Sequence, residues 1–184
     1  MADVRPAAIP ADFAAAVRSF GVAELRPEVR TEPLRAPQRL APWAHALGID
    51  VITDADVVAT GRLVLLHDPA GYDAWQGTFR LVGYATVDLE PDLAADPLLA
   101  EVGWSWLIDA LAGADAGYTA IGGTITRTTS TRFGELPPDS GGGNELEVRA
   151  SWTPLSLDLG NHLRAWGELL CAAAGLPPPG IAAL

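Results

Sequence analysis

Three segments decide the fold: WAHALGIDV (43–51), VVATGRLVLLH (57–67) and TFRLVGYATVDLE (78–90). In the first segment larger apolar residues alternate with small or polar ones, which is the period of a β-strand with one buried face. The middle segment carries apolar side chains on both faces at residues 63–66, a pattern typical of a central strand. Because only short connections join the three segments, the sequence predicts an antiparallel meander.

The flanking segments add helices and further strands to this meander. Apolar residues at helical spacing predict a helix near the N-terminus, a second after Asp96 and a third after Asp158. Residues 25–32 alternate around a proline, as an edge strand would, and two more strands lie within 118–133 and 145–152. The predicted order is α-(β)-β-β-β-α-β-β-α, an α+β fold in which an antiparallel sheet of about five strands has helices packed on one face. This order resembles that of secretion-chaperone-like folds, whose members are often dimeric protein-binding modules.

Length and composition indicate one globular unit. The 184 residues, 49% of them hydrophobic, suit a single α+β domain over residues 1–184 with an ordered core at about 11–176. No basic start with an apolar run opens the chain, and no apolar stretch approaches the roughly 18–20 residues of a membrane span. The single cysteine, Cys171, excludes an internal disulfide, an iron–sulfur cluster and a cysteine-rich zinc site. We therefore predict a cytoplasmic protein with no membrane segment.

Charge excludes further classes of function. All 12 basic residues are arginines, and the absence of lysine excludes a Walker-type phosphate loop and Schiff-base chemistry. The 23 acidic residues give a formal net charge of -11. Four arginines lie within the segment 26–39, and outside that segment 21 acids face 8 arginines. Such a surface would repel phosphate groups, so the composition argues against nucleic-acid binding.

The loop that follows the central strand contains the strongest candidate site. Its candidate binding residues are His67, Asp68, Tyr72, Asp73 and Trp75. A histidine beside carboxylates at a strand end suits acid–base chemistry, but successive strand residues point to opposite faces, so His67 and Asp68 need not converge. The loop, residues 68–77, is longer than a hairpin needs, and its two aromatic residues favour a contact surface over disorder.

Two further candidate binding residues lie outside that loop. Trp104 falls off the apolar stripe of its helix, and Arg127 points away from the threonine-rich face of its strand. The neighbouring string GWSWL (103–107) lacks the second glycine of a nucleophile elbow and lies inside a helix, so we assign no catalytic residue. The three histidines show no metal-ligand spacing, and we therefore predict neither a metal site nor a cofactor.

Several strings of the sequence resemble a catalogued family. They are GRLVLLHDP (61–69), YDAWQG (72–77), DPLLAEVGWSWL (96–107), GGTITRT (122–128) and ASWTP (150–154). From about residue 13 to residue 176 the chain resembles an uncharacterised actinobacterial family, the domain of unknown function 3000. The resemblance implies no activity, cofactor or catalytic residue. The family's genes often lie near those of a ribonuclease-D-like exonuclease and of haem synthesis, which implies a link to one of those processes.

These observations favour a cytoplasmic binding or adaptor module, expected to form a homodimer, that acts through an unknown protein or a small molecule. Six tryptophans offer apolar contact surface for such a role. Two alternatives stay open: an enzyme of unrecognised type that uses His67 and nearby carboxylates, and a regulator linked to RNA processing or haem synthesis. The absence of a recognisable catalytic constellation weighs against the enzyme.

Overall fold

In the computed structural model, which describes residues 8–135 and 143–180, six strands form one antiparallel sheet in the spatial order β1-β2-β3-β4-β6-β5. The strands are β1 (Val29–Leu34), β2 (Trp43–Thr53), β3 (Asp56–Tyr72), β4 (Gly77–Asp88), β5 (Tyr118–Thr129) and β6 (Asn144–Pro154). The helices are α1 (Ala11–Phe20), α2 (Pro91–Ala95), α3 (Leu99–Gly113) and α4 (Gly160–Ala173), with a 3-10 helix at Asp73–Trp75. The predicted domain also includes residues 1–7, 136–142 and 181–184, which lie outside the described residues.

The predicted α+β class is confirmed, but the sheet has six strands in the described residues rather than about five. The additional strand is β1, which the sequence predicted only as an optional edge strand. It pairs with β2 from Val29 opposite Val51 to Leu34 opposite Ala46. Proline has no backbone N–H to donate to the sheet. An edge strand tolerates Pro33 because its unpaired side can face solvent, so no hydrogen bond between strands is lost.

The predicted loop at residues 68–77 is wrong in extent, because β3 continues to Tyr72. Pairing with β4 lapses after His67 and resumes where Tyr72 lies opposite Gly77. The 3-10 helix closes that last pair, and Gln76 ends it in the left-handed conformation at φ 53°. Alternation of apolar residues gives no information about such a reversal. The strand predicted from this alternation therefore ended too early, at His67.

One face of the sheet, the helix face, is covered by helices, and α4 is central to its packing. Alternate residues of the strands form a single buried core with α1, α3 and α4. The indole of Trp166, on α4, is fully buried and lies directly on Gly83, where an added Cβ would be 2.5 Å from the ring. A Cβ on Gly61 would be 3.1 Å from Leu170. Gly61 and Gly83, the glycine seat, therefore let α4 approach the sheet closely.

The other face of the sheet, the open face, carries a much smaller apolar cluster. Three buried residues form it: Ala46, Val64 and Leu66. Trp75, from the 3-10 helix, and Ala41 pack against this cluster. Ala41 belongs to the strap, residues 35–42, an irregular segment that joins β1 to β2. The open face is thus covered by single side chains and an irregular segment rather than by a packed helix.

Gly83→Ala should destabilise the protein, because the added methyl group would overlap the Trp166 ring and β4 is held between β3 and β6. We expect a loss of about 1–3 kcal/mol in the free energy of unfolding, the usual cost of overpacking a core, measured by urea denaturation. Gly122→Ala, on β5, is the matched control, since a Cβ there would meet no atom within 4 Å. Equal stability of the two variants would contradict this account of the glycine seat.

Candidate functional site

His67 is enclosed on the helix face, whereas the next residue points to the opposite side. The imidazole is 5% exposed, and its ring centroid lies 4.0 Å from that of Phe79 and 6.1 Å from that of Phe13. Its Nδ1 donates to the Thr78 carbonyl at 2.9 Å, since a carbonyl oxygen can only accept. The Asp68 carboxylate instead accepts a backbone N–H two residues further on, at 2.9 Å. The two side chains do not converge into an acid–base pair.

The remaining residues of the predicted loop site lie near one another. The hydrogen bond to Asp68 raises the pKa of the Tyr72 phenol, and the ring centroids of Tyr72 and Trp75 are 4.6 Å apart. Asp73 begins the 3-10 helix and is exposed. Trp75 is half-buried, and its carbonyl accepts a hydrogen bond from the Thr153 hydroxyl of β6. This segment is therefore anchored to the sheet at one end of the open face.

Trp104 and Arg127 lie on the helix face, where they join α2 and α3 to β5. The Arg127 guanidinium donates at 3.0 Å to the carbonyls of both Ala94 and Asp96. Trp104, on α3, is half-buried over Gly123, where an added Cβ would lie 2.9 Å from the indole. The structure thus brings the loop residues together and places these two, with the enclosed histidine, on the opposite face.

The other two histidines and the cysteine pack against the helix-side core. His162 is 1% exposed and accepts a hydrogen bond at Nδ1 from the Trp152 indole at 3.0 Å, and burial lowers its pKa to about 4. His45 lies 6.0 Å from the Phe20 ring, and burial lowers its pKa as well. Burial raises the pKa of the Cys171 thiol to about 11. Within residues 8–135 and 143–180, no group of three His, Cys, Asp or Glu could hold a metal ion.

A wide groove of about 770 Å³ lies on the open face. Its apolar floor and wall are formed by Ala46, Val64, Val82, Leu34, Pro37 and Leu40. Arg35, from the strap, lines the same wall, and β5 and β6 contribute small or polar residues such as Thr124 and Ser151. Leu34 and Leu40 are 40% and 57% exposed, so the wall presents apolar surface to solvent.

Three side chains form a stack in this groove where it crosses β3, β4 and β6. The guanidinium carbons of Arg62 and Arg149 lie 5.1 and 5.3 Å from the centroid of the Tyr84 ring, within the range of cation–π attraction. Strand register sets this arrangement, because Tyr84 is paired with Arg62 on one side and Arg149 on the other. The Tyr84 hydroxyl and the Arg149 Nε both donate to the Glu147 carboxylate, at 3.0 and 2.7 Å.

Arg80 is half-buried on the open face beside the groove. Its guanidinium donates to the carbonyl of Ala120 at 2.7 Å and to the hydroxyls of Thr153 and Ser151 at 3.2 and 2.8 Å. Burial lowers its pKa. These contacts link β4 to β5 and β6, and they hold the Ser151 side chain that lines the groove.

Sequence analysis did not single out Arg62, Tyr84 or Arg149. Each is a polar residue between apolar neighbours on its strand, and the alternation assigns each of them to a solvated face. Their contact depends on strand register and on the adjacency of β4 and β6, which come from distant parts of the chain. The signal that could have identified them is that all three side chains lie on the same face of the sheet, but no sequence motif marks this.

A second groove, of about 380 Å³, lies between α3, α4 and the segment after α4. Its apolar lining includes Trp106, Ala110 and Leu176. Charges of both signs border it: Arg26 lies 3.4 Å from Glu168 in an ion pair. Acidic residues, Asp109 and Glu168, belong to the lining of this groove, whereas the described lining of the groove on the open face has none.

A family model described as a protein of unknown function (DUF3000) matches residues 9–182. The chain belongs to this family. The family membership expected from the sequence strings is thereby confirmed. No curated protein and no solved structure matches the DUF3000 chain. No helix in the part of the chain that the structure describes is long and apolar enough to cross a membrane.

The free energy of unfolding of this DUF3000 protein should fall as the pH drops from 7 to 5. In the unfolded chain the His162 imidazole gains its proton near its ordinary pKa of 6.5, whereas in the folded protein burial holds the pKa at about 4. Between those values only the unfolded chain binds the proton, so acid favours unfolding. We expect a loss of about 2 kcal/mol by pH 5, measured by urea denaturation at each pH.

His162→Asn is the matched variant for that measurement, because its Oδ1 takes the position of Nδ1, where it can still accept the hydrogen bond from the Trp152 indole, but does not titrate. The stability of this variant should depend less steeply on pH than that of the parent between pH 7 and 5. If parent and variant lose stability in parallel over this range, His162 is not the group responsible.

Proposed function

We propose that the protein is a binding module that holds a small molecule in the groove on its open face. The observation that carries this proposal is the lining of the groove, in which an apolar floor lies beside arginines on the sheet face that lacks the packed helices. Its volume of about 770 Å³ lies within the range of small-molecule sites. Contiguous exposed apolar surface of this kind typically marks a site of interaction.

The position of the groove in the sheet supports this role. Val64 and Val82 lie on β3 and β4, each of which is hydrogen-bonded to a strand on both sides. A floor on such strands is preformed, so little conformational entropy is lost when a ligand binds. The strap forms one wall, and Trp75 packs against the apolar cluster that continues the floor. Of the candidate residues of the predicted loop, Trp75 is therefore the one that supports a site here.

The groove supports binding better than catalysis. Among the described residues, its ionisable groups are three arginines and one tyrosine, and its lining contains no His, Cys, Asp or Glu. A nucleophile with a neighbouring base, the usual requirement for covalent or acid–base catalysis, is therefore missing from the lining. His67, the residue on which the enzyme alternative depends, lies on the helix face. A protein partner, a homodimer, a cytoplasmic location and a link to RNA processing or haem synthesis remain proposals from the sequence.

The proposal is tested with phenylnaphthylamine, an uncharged apolar fluorophore whose emission rises when it leaves water. The protein should enhance this emission saturably. Val82→Asp should weaken binding at least ~tenfold, because a carboxylate would be placed against an apolar ligand and lose hydration. Val57→Asp is the matched control, because it makes the same change on the neighbouring strand β3. Val57 is 58% exposed and does not line the groove.

Two further variants make this test decisive. Thr124→Trp should fill the groove from β5 and weaken probe binding without a new charge, which covers the case that Val82→Asp unfolds. Ala110→Asp alters the second groove, between α3 and α4, and should leave probe binding unchanged. The proposal fails if the protein does not bind the probe, or if Ala110→Asp removes binding while Val82→Asp and Thr124→Trp do not.

A further inference from the structure

We propose that the ligand of this groove, if the function proposed above holds, is an organic anion. Its carboxylate, phosphate or sulfonate head would lie beside Arg35 and Arg62, and its apolar body would lie over Val64 and Val82. The inference depends on which arginines of the chain have partners and where the others lie.

Most arginines in the described residues use their donors within the protein. Arg26 and Arg149 form ion pairs with glutamates. Others donate to carbonyl or hydroxyl oxygens: Arg30, Arg80, Arg127 and Arg164. Within residues 8–135 and 143–180, the arginines with neither a hydrogen bond nor an ion pair are Arg18, Arg35, Arg39 and Arg62.

These arginines are not spread evenly over the molecule. Arg35 and Arg62 line the groove, and Arg39 lies in the strap beside it, whereas Arg18 is on α1. The chain has 23 acids for 12 arginines, so carboxylate partners are abundant elsewhere. The described lining of the groove nevertheless contains no carboxylate. Arginines that form no ion pair therefore lie next to apolar surface, which is the arrangement that an amphipathic anion requires. On its other side Arg62 borders a smaller cavity that Glu32 and Asp50 also line.

The stack with Tyr84 distinguishes the two arginines beside the ring. Arg149 is neutralised by Glu147, which also accepts the Tyr84 hydroxyl hydrogen bond. Arg62 contacts the ring at 5.1 Å but has no acceptor for its N–H donors in the described part of the chain. A planar guanidinium held against an aromatic ring loses little further freedom when it binds, and its fork matches a carboxylate or phosphate. Arg62 is thus the main anion contact, and Arg35 adds charge from the strap.

The second groove does not share this property. The guanidinium of Arg26, which borders it, bonds to both Glu28 and Glu168. Arg164, the other cation of its lining, donates to the carbonyl of Ala114 at 2.9 Å. Because acids also line that groove, it offers an organic anion no net attraction comparable with that on the open face.

The test compares two fluorescent probes that differ by one charge: phenylnaphthylamine and its sulfonated form, anilinonaphthalene sulfonate. At low salt the protein should bind the sulfonate ~tenfold more tightly, the factor that one charge-assisted hydrogen-bonded pair supplies. Arg62→Gln should remove most of this preference, measured as the ratio of the two affinities. Arg35→Gln should reduce the preference about threefold, and added salt should weaken binding of the sulfonate alone.

Arg18→Gln is the matched control, because it removes the same charge from α1 and should change neither affinity. If Arg18→Gln and Arg62→Gln weaken sulfonate binding equally, net charge rather than the groove is responsible and the inference fails. Equal affinity of the unmodified protein for the two probes also overturns the inference but leaves the proposed function intact. Failure of the uncharged probe to bind overturns the proposed function itself.

Discussion

The contact of the Trp166 indole with Gly61 and Gly83 is the interaction on which the rest of the structure depends. It sets the distance between α4 and the sheet, and α4 in turn packs against α1 and α3. The indole Nε1 is buried without a hydrogen-bond acceptor among the described residues, which costs about 1–3 kcal/mol. Complete burial of the ring against flat glycine backbone offsets that cost, since loss of a buried tryptophan typically costs about 3–5 kcal/mol. Stability is therefore concentrated on the helix face, and the open face can serve another purpose.

Much of the fold could be predicted because each strand buries one face. Alternation over residues 43–51 and 145–152 identifies the side chains that face the helices, and β2 and β6 contain those segments. The end of β3 could not be predicted in the same way, because the chain reverses through a left-handed residue, Gln76, after a lapse in pairing. The adjacency of β4 and β6 was likewise hidden, since α2, α3 and β5 separate them along the chain. A period-two pattern shows on which face of the sheet a side chain lies, but not which strands are adjacent.

The candidate site could be predicted only at its margin. Trp75 was singled out because its loop is long for a hairpin, and it packs against the apolar cluster from which the groove extends. His67 was singled out because imidazole titrates near neutral pH, but the ring lies between two phenylalanines in the core. Arg62 and Tyr84 carry no motif, and their importance depends on contacts across strands. A site built from cross-strand neighbours is invisible to any method that considers only spacing along the chain.

Cys171 supplies the molecule with a reporter of its own local opening. The thiol is fully buried in α4, and a pKa of about 11 keeps it protonated at neutral pH. A thiol reagent needs an accessible thiolate, so it can modify only molecules in which the packing around this part of α4 has transiently opened. When closing is faster than modification, the labelling rate measures the free energy of that opening under native conditions. Because the chain has no other cysteine, the whole signal comes from this one helix.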